Sequence, residues 1–135
     1  MRPFLLALAL ALASVGCQTK SKVLGAPSDA GISKPYEAPM DKVQRATRDA
    51  LAEAQFGIKE KETKFLDDSR YQILASQGLS AGSTGRYVRV MIENEKTRCT
   101  VRVLVESKVD SQAASPADIA IGEDLHKRIA ARIAK

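Results

Sequence analysis

A chain of 135 residues with three Phe, three Tyr and no Trp has material for one modest hydrophobic core, so a single domain is expected. The formal charge of +5 arises from 21 Lys/Arg against 16 Asp/Glu, interleaved along the chain, which reads as a solvated surface and not a nucleic-acid patch. One His and two Cys exclude a metal cluster of His and Cys ligands.

The chain opens with Arg2 and an unbroken apolar run, Phe4 to Ala13. A spanning helix needs roughly 20 apolar residues, so this run suits a cleaved export signal. Ser14-Val15-Gly16-Cys17 follows it and resembles the lipobox of bacterial lipoproteins, with Ser14 where Leu is usual. The resemblance implies that the Cys17 thiol receives a diacylglycerol. It further implies cleavage before Cys17 and acylation (palmitate or a similar chain) of the new amino terminus. Ala11-Leu12-Ala13 offers a second cut of the A-x-A type, which would release a soluble periplasmic protein. Gln18, not Asp, follows the cysteine. In a Gram-negative host the resemblance then implies outer-membrane sorting, with the domain facing the periplasm.

The expected division is a signal peptide over 1–16, a lipidated flexible tether over 17–34 and one α+β domain over 35–135. Gly25, Pro27, Ser28, Asp29, Gly31 and Ser33 break any periodicity in the tether. A flexible chain of that length has an end-to-end distance of about 23 Å. Lys20 and Lys22 lie near enough to the anchor to meet anionic headgroups.

Met40, Val43, Thr47, Ala50, Leu51 and Ala54 recur at helical spacing and predict a helix over Tyr36 to Gln55. Pro39 suits its first turn and Gly57 its left-handed end. Ile58 to Phe65, dense in Lys and Glu, reads as a charged edge strand. A turn at Asp67-Asp68-Ser69 leads into a strand over Arg70 to Ser76, with Tyr71, Ile73 and Ala75 inward. Gly78 to Gly85 reads as a loop; it lacks the Lys-Ser/Thr of a phosphate cradle.

Arg86 to Glu93 and Thr97 to Glu106 form a hairpin by alternation. A turn at Glu95-Lys96 would set Ile92 opposite Cys99, Val90 opposite Val101 and Val88 opposite Val103, all inward. Cys99 then falls in the core as a small apolar group. The other face carries Tyr87, Arg89, Met91, Arg102 and Leu104, joined by Leu74, with Arg89 opposite Arg102. It reads as an ordinary solvated sheet face or as a partner-binding surface, since Tyr, Arg and Met are enriched at interfaces. Lys108 to Ala114 is a polar connection. Ser115-Pro116-Ala117-Asp118 starts a final helix whose buried stripe is Ile121, Leu125, Ile129 and Ile133. His126 is assigned to its polar side. The economical packing is a two-layer sandwich of a four-stranded antiparallel meander with both helices on one face.

From Tyr36-Glu37-Ala38 through Phe56-Gly57-Ile58 and Thr97-Arg98-Cys99-Thr100-Val101-Arg102-Val103 to the Ser-initiated last helix, the chain resembles a family of small uncharacterised proteobacterial lipoproteins. It is similar, more loosely, to the lipoproteins that plug an outer-membrane transport barrel for lipopolysaccharide. No nucleophile–base pair is recognisable, so no enzyme and no cofactor is expected. The functional expectation is a non-enzymatic binding or scaffold module of the cell envelope. The alternative is an accessory to lipid or lipopolysaccharide transport. Partners are the membrane and an envelope protein or anionic lipid, not nucleic acid.

Overall fold

The computed structural model describes residues 20–78, 85–107 and 115–135. The signal segment, Cys17, most of the glycine loop and the 108–114 connection lie outside the described residues. The fold is α+β, as expected, and its sheet is antiparallel. In chain order the described residues form helix α1 (20–25), β1 (Ile32–Tyr36), α2 (Met40–Glu53), β2 (Gly57–Ile58), a 3-10 turn (Glu60–Glu62), β3 (Lys64–Phe65), β4 (Arg70–Gln77), β5 (Arg86–Glu95), β6 (Arg98–Ser107) and α3 (Pro116–Ile133). The sheet runs β1-β6-β5-β4-β2, with β3 also pairing β4.

Six strands replace the expected four. The charged stretch is an edge, as its lysines and glutamates suggest, but the turn at Glu60–Glu62 splits it into β2 and β3. The sixth strand, β1, comes from the stretch read as tether. It places Ile32, Lys34 and Tyr36 on the core side, opposite Val103, Val101 and Cys99. Pro35 sits within it, which an edge strand tolerates because the outer side of the ladder needs no donor. Gly31 precedes it at φ +100°, and a Cβ there would lie 2.4 Å from the Val103 carbonyl oxygen. Only glycine permits that approach.

The core lies between the sheet and the pair α2 and α3. Val43, Ala46, Ala50 and Leu51 of α2 and Leu125 and Ile129 of α3 meet Ile73, Ala75, Val88, Val90, Ile92, Cys99, Val101 and Val103. The predicted stripe on α3 is buried at Leu125 and Ile129 and half-buried at Ile121 and Ile133. α2 is shorter than expected because Tyr36 belongs to β1 and Pro39 is the cap residue. Its left-handed end falls on Gln55, at φ 67°, and not on Gly57, which opens β2. The Gln55 N–H donates to Ala52 O at 3.0 Å and the Phe56 N–H to Leu51 O at 2.8 Å, the Schellman pattern. α3 starts as its sequence dictates. Ser115 accepts from the Asp118 N–H while the Asp118 carboxylate accepts from the Ser115 N–H.

The hairpin keeps its predicted parity but not its register. Ile92 pairs with Val101, Val90 with Val103 and Val88 with Val105, two residues further along β6 than expected. The turn is Lys96-Thr97, with Lys96 at φ 58°. A two-residue shift preserves which face each side chain occupies, so the hydrophobic pattern alone cannot choose between the two registers. Charge can. The expected register sets Arg89 against Arg102; the observed one sets Arg89 opposite Leu104 and Arg102 opposite Met91. It also lets Arg102 reach Glu93 at 2.8 Å and Thr100 reach Glu95 at 2.9 Å.

Candidate functional site: a sheet face closed by the N-terminal segment

The sheet face away from α2 and α3 is where the sequence placed Tyr87, Arg89, Met91, Arg102, Leu104 and Leu74. It is not an open surface. Arg89 is 2% exposed, Met91 2% and Leu74 0%. Residues 20–27, expected to be flexible tether, close over Arg89, and Val23 is fully buried. The guanidinium donates from Nη1 to Val23 O at 3.0 Å and Ala26 O at 2.8 Å, and from Nη2 to Pro27 O at 2.7 Å. These carbonyls belong to the last turn of α1 and the residues after it, where a helix presents unpaired acceptors and the negative end of its dipole. No carboxylate bridges Arg89 among the described residues; backbone dipoles take that role. Its Nε has no hydrogen-bond partner, and burial lowers its pKa.

The rest of the predicted face is half-buried. Arg102 is engaged with Glu93, and Tyr87 and Leu104 flank the covered centre. Lys22 reaches Glu106 at 3.7 Å, and Lys20 bridges Glu62. A partner binding at Arg89 must therefore displace residues 20–27. The missed signal was Arg89 itself, a long cation in the middle of an otherwise apolar strand.

His126 is the second correction. It is 1% exposed, not on the polar side of α3. Nε2 lies 2.8 Å from Ile32 O, an acceptor, so Nε2 carries the proton. In the neutral ring Nδ1 then accepts from the Tyr36 hydroxyl at 2.7 Å. The rings stack with centroids 5.9 Å apart. Burial pushes His126 below its ordinary pKa and raises Tyr36 to about 12, with Glu123 adding to the latter. Lys34 bridges Glu123 at 2.8 Å over the same junction. The histidine is a structural pin between α3 and β1.

Cys99 is fully buried, as expected, and burial followed by Glu95 raises its pKa, so the thiol is unreactive. Other polar groups tie elements together. Arg86 bridges the buried Asp118 at 2.9 Å, and Arg128 and Arg132 clasp Glu53 across α2 and α3 at 2.8 and 2.9 Å. Among the described residues no group of three His, Cys, Asp or Glu could hold a metal ion. No described helix is long and apolar enough to cross a membrane.

A shallow cleft of about 430 Å³ opens beside the N-terminal segment, lined by Lys20, Ile58, Lys59, Lys61, Glu60, Glu62 and Tyr87. It is the largest of the clefts described, and it lies beside Lys20, the first described residue. No family model matches the chain, and no curated protein matches its sequence.

Proposed function

We propose that the protein is a bacterial lipoprotein, anchored through Cys17, whose domain serves as a non-enzymatic binding or scaffold module of the cell envelope. Ser14-Val15-Gly16-Cys17 at the end of the Phe4 to Ala13 run carries this reading. Gln18 directs it to the outer membrane of a Gram-negative host, with the domain in the periplasm. The fold is compatible with a short attachment: α1 is helical by residue 20, three residues after the cysteine. Two or more acyl chains make such an attachment effectively permanent, since each buried methylene contributes about 0.8 kcal/mol. The described polar side chains are largely engaged in ion pairs and caps that serve the fold, which favours binding over turnover.

The second reading is an accessory to lipid or lipopolysaccharide movement. The lysine-lined cleft beside the entry point favours it, because phosphate-bearing lipid is the anion nearest to that site. Cell fractionation tests the anchor: the parent protein should sediment with outer membranes, and Cys17→Ser should leave them. A Cys17→Ser protein that still sediments there would remove the basis of both readings.

A further inference from the structure

The β2–β3 edge carries an arrangement that the fold does not need. Phe65 is 55% exposed and Leu66 42%, two of the three large exposed hydrophobics among the described residues. Exposed Lys59, Lys61 and Lys64 precede them within one short stretch. The acids of the stretch are engaged: Glu60 with Arg48 at 2.8 Å, Glu62 with Lys20, and Asp67 with Arg70 at 2.8 Å. Asp68 is the one further carboxylate beside it. Lys59, Lys61 and Lys64 have no ion pair among the described residues.

The pair Phe65-Leu66 is held in place. The Phe65 ring meets Tyr71 edge-on at 4.8 Å, and the Leu66 N–H donates to Arg70 O at 2.9 Å. The turn that follows is pinned by Asp67 Oδ1, which accepts from the Ser69 and Arg70 N–H groups at 3.0 and 2.9 Å. Two bulky apolar side chains are thus presented to solvent on a fixed turn.

Lys20, the first described residue, bridges Glu62 at this edge, while Phe65 pairs with Tyr71 on the side of the sheet that faces α2. Lys20 is three positions beyond Cys17. Fully extended, that stretch spans only about 10–11 Å. A bilayer holding Cys17 is then within about 10–11 Å of Lys20 at this edge, and its phosphates complement the lysines.

We propose that the β2–β3 edge docks on the anionic bilayer surface, with Phe65 and Leu66 entering the headgroup layer and Lys59, Lys61 and Lys64 facing lipid phosphate. This rests on the anchor reading and adds an orientation to it. The sheet stands edge-on to the membrane, and α3 and β1, at the other end of the strand order, face away. An aromatic beside lysines is the composition of an interfacial contact, where the ring sits at headgroup depth.

The chain has no Trp, so one introduced indole reports its own surroundings. Phe65→Trp and Ile119→Trp make a matched pair. Ile119 is 49% exposed and lies on α3, beside Val103 and Val105 of β6, away from the β2–β3 edge. Each protein, as its host cell matures it, is reconstituted into vesicles of phosphatidylethanolamine and phosphatidylglycerol containing brominated lipid. The indole of the Phe65→Trp protein should be quenched and blue-shifted, while that of the Ile119→Trp protein is not. Replacing Lys59, Lys61 and Lys64 by Gln should lower the docked-to-undocked ratio by about fivefold for each lysine. Vesicles of phosphatidylcholine alone should weaken quenching similarly. Phe65→Trp protein that floats with the vesicles but stays unquenched, or equal quenching in the two variants, overturns the docking and leaves the anchor standing. Protein that does not float overturns both.

Discussion

Arg89→Met removes the guanidinium and keeps most of the volume of the side chain. It takes a charged donor from three backbone acceptors, Val23 O, Ala26 O and Pro27 O, at 3.0, 2.8 and 2.7 Å; Val23 O and Pro27 O keep the Ala26 and Ala30 N–H groups at 3.4 and 3.0 Å, and Ala26 O loses its partner. Were Ala26 O to stay buried and unpaired, it would cost about 1–3 kcal/mol, beyond the three charged hydrogen bonds lost. The segment has another course, which is to lift away and hydrate its carbonyls. Val23 contributes about 1.5–3 kcal/mol by its burial. The Lys20 and Lys22 bridges are partly exposed and screened by solvent, so they add little. Lift-off therefore limits the loss to about 2–5 kcal/mol, confined to one segment. The core between sheet and α2/α3 should survive. Hydrogen exchange should show lost protection over residues 20–27 and retained protection in β5 and β6. Unchanged protection over 20–27, or a raised melting temperature, would refute the argument, because a buried cation can also be replaced by an apolar residue with gain.

Three further changes probe the frame. Gln55→Gly should stabilise the domain by about 0.5–1 kcal/mol in urea unfolding, since Gln55 occupies φ 67° and glycine takes that conformation without a Cβ penalty. Gly31→Ala should destabilise it by at least about 2 kcal/mol, because the new Cβ meets the Val103 carbonyl at 2.4 Å and φ is +100°. The His126 pin sets a pH dependence. Its folded pKa lies below the unfolded value of about 6.5, so the unfolded chain takes up the proton first. Stability is then complete above about pH 6.5 and falls as pH drops from there towards the folded pKa. His126→Phe should flatten the slope of stability below about pH 6.5, whatever it does to the plateau. A slope equal to the parent's would assign the acid sensitivity elsewhere.

The elements that were legible in the sequence are those specified by local chemistry. Ser115, Pro116 and Asp118 define a helix start on their own, and the alternation of Val88, Val90 and Ile92 with Cys99, Val101, Val103 and Val105 defines a hairpin with a buried thiol. What escaped depends on distant partners. Ile32 to Tyr36 alternates, but Pro35 and the glycines before it resemble linker until β6 supplies an edge. His126 looks exposed on a helical wheel; its burial requires Tyr36 and the Ile32 carbonyl, 90 and 94 positions away in the chain. Arg89 looks like part of an interface because the residues that close over it, 20–27, have too little hydrophobic pattern to announce a docked segment. The hairpin register slipped by two because hydrophobic parity is blind to even shifts, and only the placement of Arg89 and Arg102 separates the choices.

The account depends most on what happens at Cys17. Intact-mass and N-terminal peptide spectrometry of the protein isolated from its own envelope addresses it directly. The expected product begins at Cys17 and carries the added mass of a diacylglyceryl thioether, with or without an amide-linked acyl chain. A product that begins at Ser14 with an unmodified thiol would mean that Ala11-Leu12-Ala13 is the cleavage site and that the domain is released into the periplasm.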